Sequence, residues 1–248
     1  MTKLAIIGGT GIGQLTGLNI TSSRSLETPF GNPSAEYVHG NIHGQDIIFL
    51  ARHGTPHTIP PHKINYRANT WGLKHLGVTD IIAVAAVGGI TSAMEPAHIT
   101  LPDQVIDYSY GREHTFFTGV QDDLTHIDFT FPYNQQLRTH LIQAADKANL
   151  IISNTGTYGC TQGPRLESTA EIKRMERDGC DLVGMTGMPE AALAKELGLN
   201  YAAIAVVANW AAGKSEGEIT MSEIEHHLKN GMGNVNKLLD CFVSTFAV

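Results

Sequence analysis

The chain has 248 residues, 42% of them hydrophobic and 17% charged, a globular composition that excludes a disordered or fibrous protein. Its 24 acidic and 17 basic residues give a formal net charge of −7 with no block of Lys and Arg, which speaks against a protein that grips a nucleic-acid backbone. Three widely spaced cysteines, Cys160, Cys180 and Cys241, form no CxxC pair, so a reducing cytoplasm is expected rather than a disulfide framework or a zinc knuckle.

Lys3 to Ile7 is a short apolar run closed by Gly8-Gly9, too short for a signal peptide or a membrane span and suited to a buried strand that enters a loop. Comparable runs follow at Ile47 to Ala51, Ile81 to Ala86, Gln104 to Tyr108, Asp181 to Met185 and Tyr201 to Ala208, each bounded by Gly, Pro or charged residues. Between them, helical patterns are expected over Tyr66 to Leu76, Asn134 to Ala148, Ser168 to Asp178, Pro189 to Leu197 and Ser222 to Phe242. Strands alternating with helices, without an internal repeat or linker, predict one α/β domain over residues 1–248. Its central sheet should be mixed but mostly parallel, flanked by helices. Ligands of such sheets bind at loops where strands end, which selects Gly8 to Gly13, Arg52 to His57, Ala85 to Gly89, Thr161 to Glu167, Met185 to Glu190 and Asn209 to Gly213.

Those loops carry anion chemistry. Gly8-Gly9-Thr10-Gly11-Ile12-Gly13 lets backbone N–H groups and the Thr10 hydroxyl approach a phosphate, yet its spacing fails GxGxxG and no P-loop Lys follows. Arg52 offers a bidentate fork for phosphate oxygens, and His53 beside it is expected to add a second donor. The RHG of phosphohistidine phosphatases usually follows a first strand, whereas Arg52-His53-Gly54 comes after a separate glycine loop. Twelve histidines invite a metal, but His53, His57 and His62 lie in a Pro-interrupted loop and His226-His227 diverge by about 100° on a helix, so no metal site is expected.

Taken together the loops resemble the trimeric class of purine nucleoside phosphorylases, in the branch that contains the methylthioadenosine phosphorylases. The resemblance runs through Ile7-Gly8-Gly9-Thr10-Gly11, Thr28-Pro29-Phe30-Gly31, Leu50-Ala51-Arg52-His53-Gly54, His57-Thr58-Ile59, Asn65-Tyr66-Arg67-Ala68-Asn69, Gly163-Pro164-Arg165, Met185-Thr186 and Pro189-Glu190. It implies attack of inorganic phosphate, as co-substrate and without a cofactor, on C1′ of a purine nucleoside. It further implies that Thr10, Arg52, His53, Thr186 and the Ala86 backbone hold phosphate, that Met185 lies under the ribose, and that a homotrimer closes each site with His126 of a neighbouring copy. Ala85 departs from the Thr or Asn that relatives often carry there.

The base reader departs as well. The methylthioadenosine branch has Asp, Asp and Ser where this chain has Asn209, Ala211 and Glu167. A Glu167 carboxylate accepts from N1–H of a 6-oxopurine, while the Asn209 amide donates to O6 and accepts at N7, so Glu167, Asn209 and His53 are the expected catalytic side chains. Ile219, Met221 and Ile224 fall near the 5′ position of the sugar and favour a methylthio group over a hydroxyl, unless Met221 and Ile224 are only the buried stripe of the last helix. The expected substrate is a 5′-methylthio nucleoside of hypoxanthine; a methylthioadenosine phosphorylase and a general inosine/guanosine phosphorylase are the alternatives.

Overall fold

A computed structural model of the chain describes residues 3–9, 17–119 and 124–246. In chain order the elements are β1 (Leu4–Gly8), β2 (Asn19–Arg24), β3 (Tyr37–Ile42), β4 (Gln45–Ala51), a 3-10 turn (Pro61–Lys63), α1 (Tyr66–His75), β5 (Asp80–Gly89), β6 (Ile99–Thr100), β7 (Gln104–Asp107), α2 (Gln135–Lys147), β8 (Ile152–Ser153), β9 (Thr157–Cys160), α3 (Thr169–Arg177), β10 (Leu182–Gly184), α4 (Gly187–Glu196), β11 (Asn200–Trp210) and α5 (Met221–Phe246). All the strands join one sheet, and six of the ten pairings among the described residues are parallel, so the sheet is mixed and mostly parallel as expected.

β5 is the hub. It pairs in parallel with β1 through Ile7↔Ala83, with β11 along its whole length, and antiparallel with β10 at Gly88 and Gly89. Its sequence, like those of β1, β4 and β11, is a continuous apolar run because both faces of the sheet are covered. Alternate residues divide between two cores: Ile6, Ile47, Phe49, Ile82, Val84 and Ile204 face α2 and α5, while Ile7, Ile48, Leu50, Ile81, Ala83 and Ala205 face α1 and α4.

The helix starts follow from their caps. Asn65, Asn134 and Ser168 each accept a backbone N–H of the first turn, and Ser168 completes a capping box with Glu171. Met188 is non-helical, so the regular part of α4 starts at Pro189, where proline costs no hydrogen bond. α5 extends four residues beyond the expected end at Phe242.

Three expectations need correction. β7 stops at Asp107, one residue before Tyr108, where the chain leaves the sheet. Ala85 to Gly89 lie on β5 and Asn209 on β11 rather than in loops. The sequence pattern does not mark β2, β3, β6, β8 and β9: β2 is exposed throughout and polar but for Ile20, and β6 and β8 are two residues long, too short for any period to show.

α1 packs against β3 through a tight contact that inverts the usual effect of a helical glycine. A Cβ on Gly72 would collide with the Tyr37 hydroxyl, which is buried and donates to the carbonyls of Ala68 and Asn69. Gly72→Ala, which in an open helix gains up to about 1 kcal/mol, is expected here to lose about 1–3 kcal/mol of stability in urea unfolding.

Candidate active site

The carboxyl ends of β1, β4, β5 and β11 point the same way because the four strands run parallel. β10 arrives antiparallel beside Gly88 and brings its own end, Gly184, against Val87. A cleft of about 280 Å³ opens where these ends meet, the place where parallel sheets take their ligands. Ten of the expected site residues line it: Arg52, His53, Ala86, Glu167, Met185, Thr186, Asn209, Ala211, Met221 and Ile224. Thr10 lies outside the described residues. His126 is exposed and does not line the cleft of its own chain.

Arg52 is the most constrained of them, 1% exposed. Its Nε and Nη2 donate to the two oxygens of Glu190 at 2.7 and 2.8 Å, and its Nη1 donates to the Val84 carbonyl at 2.9 Å. Glu190 is fully buried and also accepts from the Tyr201 hydroxyl at 2.8 Å. Burial alone would lower the Arg52 pKa, but Glu190 more than offsets this and holds it above its ordinary value. A guanidinium has five N–H groups, so one on Nη1 and one on Nη2 remain for an anion. Gly9 makes the arrangement possible, since a Cβ there would lie 2.8 Å from both Arg52 Nη1 and the Val84 oxygen. Glu190 and Tyr201 escaped the sequence reading as site residues; the only signal was the Pro189-Glu190 pair, and nothing local shows that this carboxylate is buried.

The edge of β5 supplies a second donor. β1 pairs no further than Ala83 and β10 begins only at Gly88, which leaves the backbone of residues 84–87 open on that side. Val84 turns its carbonyl to this edge, where Arg52 takes it. Residues two apart in a strand present their backbone groups on the same side, so the Ala86 N–H faces the same opening. Ala85 contributes only a methyl group.

His53 differs from expectation in polarity. Its Nδ1 lies 2.8 Å from the Ile59 carbonyl, which only accepts, so Nδ1 carries the hydrogen. Burial, with the positive charge of Arg52 adding to it, lowers the pKa to about 4, so the ring is neutral at neutral pH and Nε2 is an acceptor rather than a second donor. It stacks on His57 at 4.2 Å. Thr186 is buried and makes no side-chain cap to α4, and its backbone N–H meets the Tyr158 hydroxyl at 3.4 Å.

On the opposite wall the Thr161 hydroxyl donates to Glu167 Oε1 at 2.6 Å. Asn209 sits at a bulge: Val207 pairs with Val87 and Asn209 with Gly88, so the register shifts by one and the side chain is turned toward the cleft. Its amide nitrogen donates to the Trp210 carbonyl at 2.7 Å, which fixes the orientation of the group and leaves one N–H and the Oδ1 acceptor free of that bond. Ile219 and Ile224 are half-buried, and Met221 at the start of α5 lines the cleft while 66% exposed. Ile224 also packs against the core, so both readings of the apolar stripe hold for it. Among the described residues no group of three or more His, Cys, Asp or Glu could hold a metal, and no helix is long and apolar enough to cross a membrane.

The profile of the Phosphorylase superfamily matches residues 3–244. The chain is 56% identical over 239 residues to a protein of Pseudomonas syringae pv. tomato named probable S-methyl-5′-thioinosine phosphorylase, covering 96% of this chain and 97% of that protein. It is 41% identical over 244 residues to the 6-oxopurine nucleoside phosphorylase of Pyrococcus furiosus, covering 96% and 91%. Its backbone superposes on the methylthioadenosine phosphorylase of Schistosoma mansoni in complex with adenine with a TM-score of 0.93 at 32% identity, over 98% of this chain and 91% of that one. The chain belongs to the phosphorylase superfamily, as an enzyme of the purine nucleoside phosphorylase type.

Proposed function

We propose that the enzyme splits S-methyl-5′-thioinosine with inorganic phosphate into hypoxanthine and 5-methylthioribose 1-phosphate. The observation that carries this reading is the placement of Glu167 and Asn209 in the same cleft as Arg52, His53 and Thr186, with the apolar side chains of Ile219, Met221 and Ile224 in its lining. The 56% identical relative named for this substrate supports it.

In the proposed reaction the two remaining N–H groups of Arg52, the Ala86 N–H and the Thr186 hydroxyl hold phosphate, and His53 Nε2 accepts the hydrogen of its protonated oxygen. Thr10 joins them by family resemblance. A phosphate oxygen bonds to C1′ as the C1′–N9 bond breaks, and the electron pair passes to the purine. The proton that phosphate gives up on becoming a sugar ester is returned through solvent to the ring at N7, where Asn209 Oδ1 accepts the resulting N–H and its free amide hydrogen bonds O6. Glu167, oriented by Thr161, accepts from N1–H. Adenine would set its bare N1 against this carboxylate, an unpaired buried group costing about 1–3 kcal/mol, or about tenfold to a hundredfold in rate.

The reaction needs no cofactor beyond the co-substrate phosphate. The active assembly is a homotrimer in which a neighbouring copy brings His126 to the ribose; the exposure of His126 between the exposed apolar residues Leu124 (66%) and Phe131 (55%) supports that role. The compartment is the cytoplasm, in keeping with the free cysteines Cys160, Cys180 and Cys241.

Three measurements test the proposal. Phosphorolysis of methylthioinosine, methylthioadenosine and inosine is expected to give a kcat/KM for methylthioinosine at least about tenfold above the other two, and equal or reversed rates would overturn it. Asn209→Asp, by exchanging an amide donor for an acceptor, is expected to lower turnover of methylthioinosine and raise that of methylthioadenosine; no movement in either would remove Asn209 as the base reader. His53 has a pKa depressed to about 4, below its unfolded value, so it stays neutral above pH 5. His53→Asn is therefore expected to lower kcat/KM for phosphate by about tenfold while leaving the shape of the pH profile between 6 and 8 unchanged; a limb lost from the profile would show that His53 titrates there.

A further inference from the structure

Arg112 lies on the irregular segment after β7 and is 8% exposed. Its Nε donates to the Gln162 side chain at 3.0 Å, Nη2 to the carbonyls of Thr161 and Gln162 at 3.0 and 2.9 Å, and Nη1 to the carbonyls of Met185 and Met188 at 2.9 and 2.5 Å. Nη1 also reaches the Tyr66 hydroxyl at 3.3 Å, and the guanidinium lies over the Tyr66 ring. All these acceptors are neutral. Keeping a cation out of water without a carboxylate partner is costly unless its hydrogen bonds are fully used.

The two sets of acceptors belong to the two halves of the cleft. Thr161 carries the hydroxyl that orients Glu167, and Met185 and Met188 bracket Thr186. We propose that Arg112 is a positioning residue, a clasp that holds the base-reading loop 161–167 at fixed distance from loop 185–188, so that nucleoside and phosphate meet in register. Its planar fork spans both loops, which the single ammonium of a lysine cannot do. A displacement of about 1 Å between reacting partners costs about a hundredfold in rate, so the clasp acts on chemistry without touching substrate.

The proposal rests on the phosphorylase reading of the cleft, and its test uses whichever nucleoside of the panel the wild-type enzyme turns over fastest, so a wrong substrate assignment appears in the panel and not here. Arg138 is the structural control: it is also a buried arginine, and it donates to the carbonyls of Leu101, Pro102 and Asn154, none of which lines the cleft. Arg112→Gln is expected to lower kcat by about tenfold to a hundredfold and to raise KM for both phosphate and nucleoside. Arg138→Gln should lower Tm but keep kcat and both KM values within about twofold. Arg112→Lys keeps the charge but not the span, and should remain within about threefold of Arg112→Gln. The clasp is overturned if Arg112→Gln changes Tm alone, or if Arg112→Lys restores wild-type kcat, which would assign the role to charge. Should Arg112→Gln not fold, Gln162→Leu removes one acceptor and is expected to lower kcat by about threefold with an unchanged fold; an unchanged kcat overturns the proposal.

Discussion

The cleft depends on the buried pair of Arg52 and Glu190. The residues lie 138 positions apart, one at the end of β4 and the other in the first turn of α4, and their two parallel hydrogen bonds fix that helix against the sheet. Such a pair is a weak source of net stability, because the cost of desolvating both charges offsets their attraction. What it supplies is direction. Glu190 uses the outer edge of the guanidinium, Val84 uses one further N–H, and Tyr201 holds the carboxylate in turn. The two N–H groups left over have only one way to point. In the proposed reaction, phosphate is therefore gripped by oriented hydrogen bonds from a group whose charge is already balanced, and it can leave as a sugar phosphate without abandoning an unpaired arginine.

The sheet makes room for that grip by being interrupted on one side. β1 ends at the glycines and β10 enters from the opposite direction, so four residues of β5 keep an open edge in the middle of an otherwise covered sheet. The bulge in β11 does the corresponding work on the other side of β5, turning Asn209 out of the strand alternation that would otherwise bury it or aim it elsewhere. Gly9, where no side chain fits between Arg52 and Val84, lets the backbone after β1 lie directly against this edge. Strand ends, a gap and a bulge together convert a continuous hydrogen-bonded surface into a polar cavity.

The parts of the fold legible in the sequence are those with apolar runs, amphipathic patterns or caps: β1, β4, β5, β7, β10 and β11, and the five helices. Such elements announce themselves because burial on both faces, or a capping residue at a helix start, leaves a local mark. β2 leaves none, since its residues face solvent, and two-residue strands are held by their neighbours rather than by their own pattern. The site divides the same way. Arg52, Thr186, Glu167 and Asn209 are legible as polar groups at the ends of apolar runs. The polarity of His53 is not, because it depends on the Ile59 carbonyl and on burial beside a cation. Nor are Glu190, Tyr201 and Arg112, whose roles come from partners far along the chain. The residues proposed to touch ligands are placed by local motifs, whereas those that aim them are placed by tertiary contacts.

This division also explains how one fold serves several purine nucleosides. The proposed phosphate half is locked by a buried pair from distant elements, and a change there would strand a charge in the core. The proposed base half rests on Glu167 in an irregular loop and on Asn209 at a bulge, both partly exposed, where exchanging a carboxylate, an amide or a small side chain leaves nothing buried and unpaired in the free enzyme. The relatives carry different base and sugar names, S-methyl-5′-thioinosine, 6-oxopurine nucleoside and methylthioadenosine, and the last superposes with a TM-score of 0.93. In the proposed reaction, specificity can move along the rim of the cleft because the part that holds the attacking group is fixed by interactions that the rim does not share.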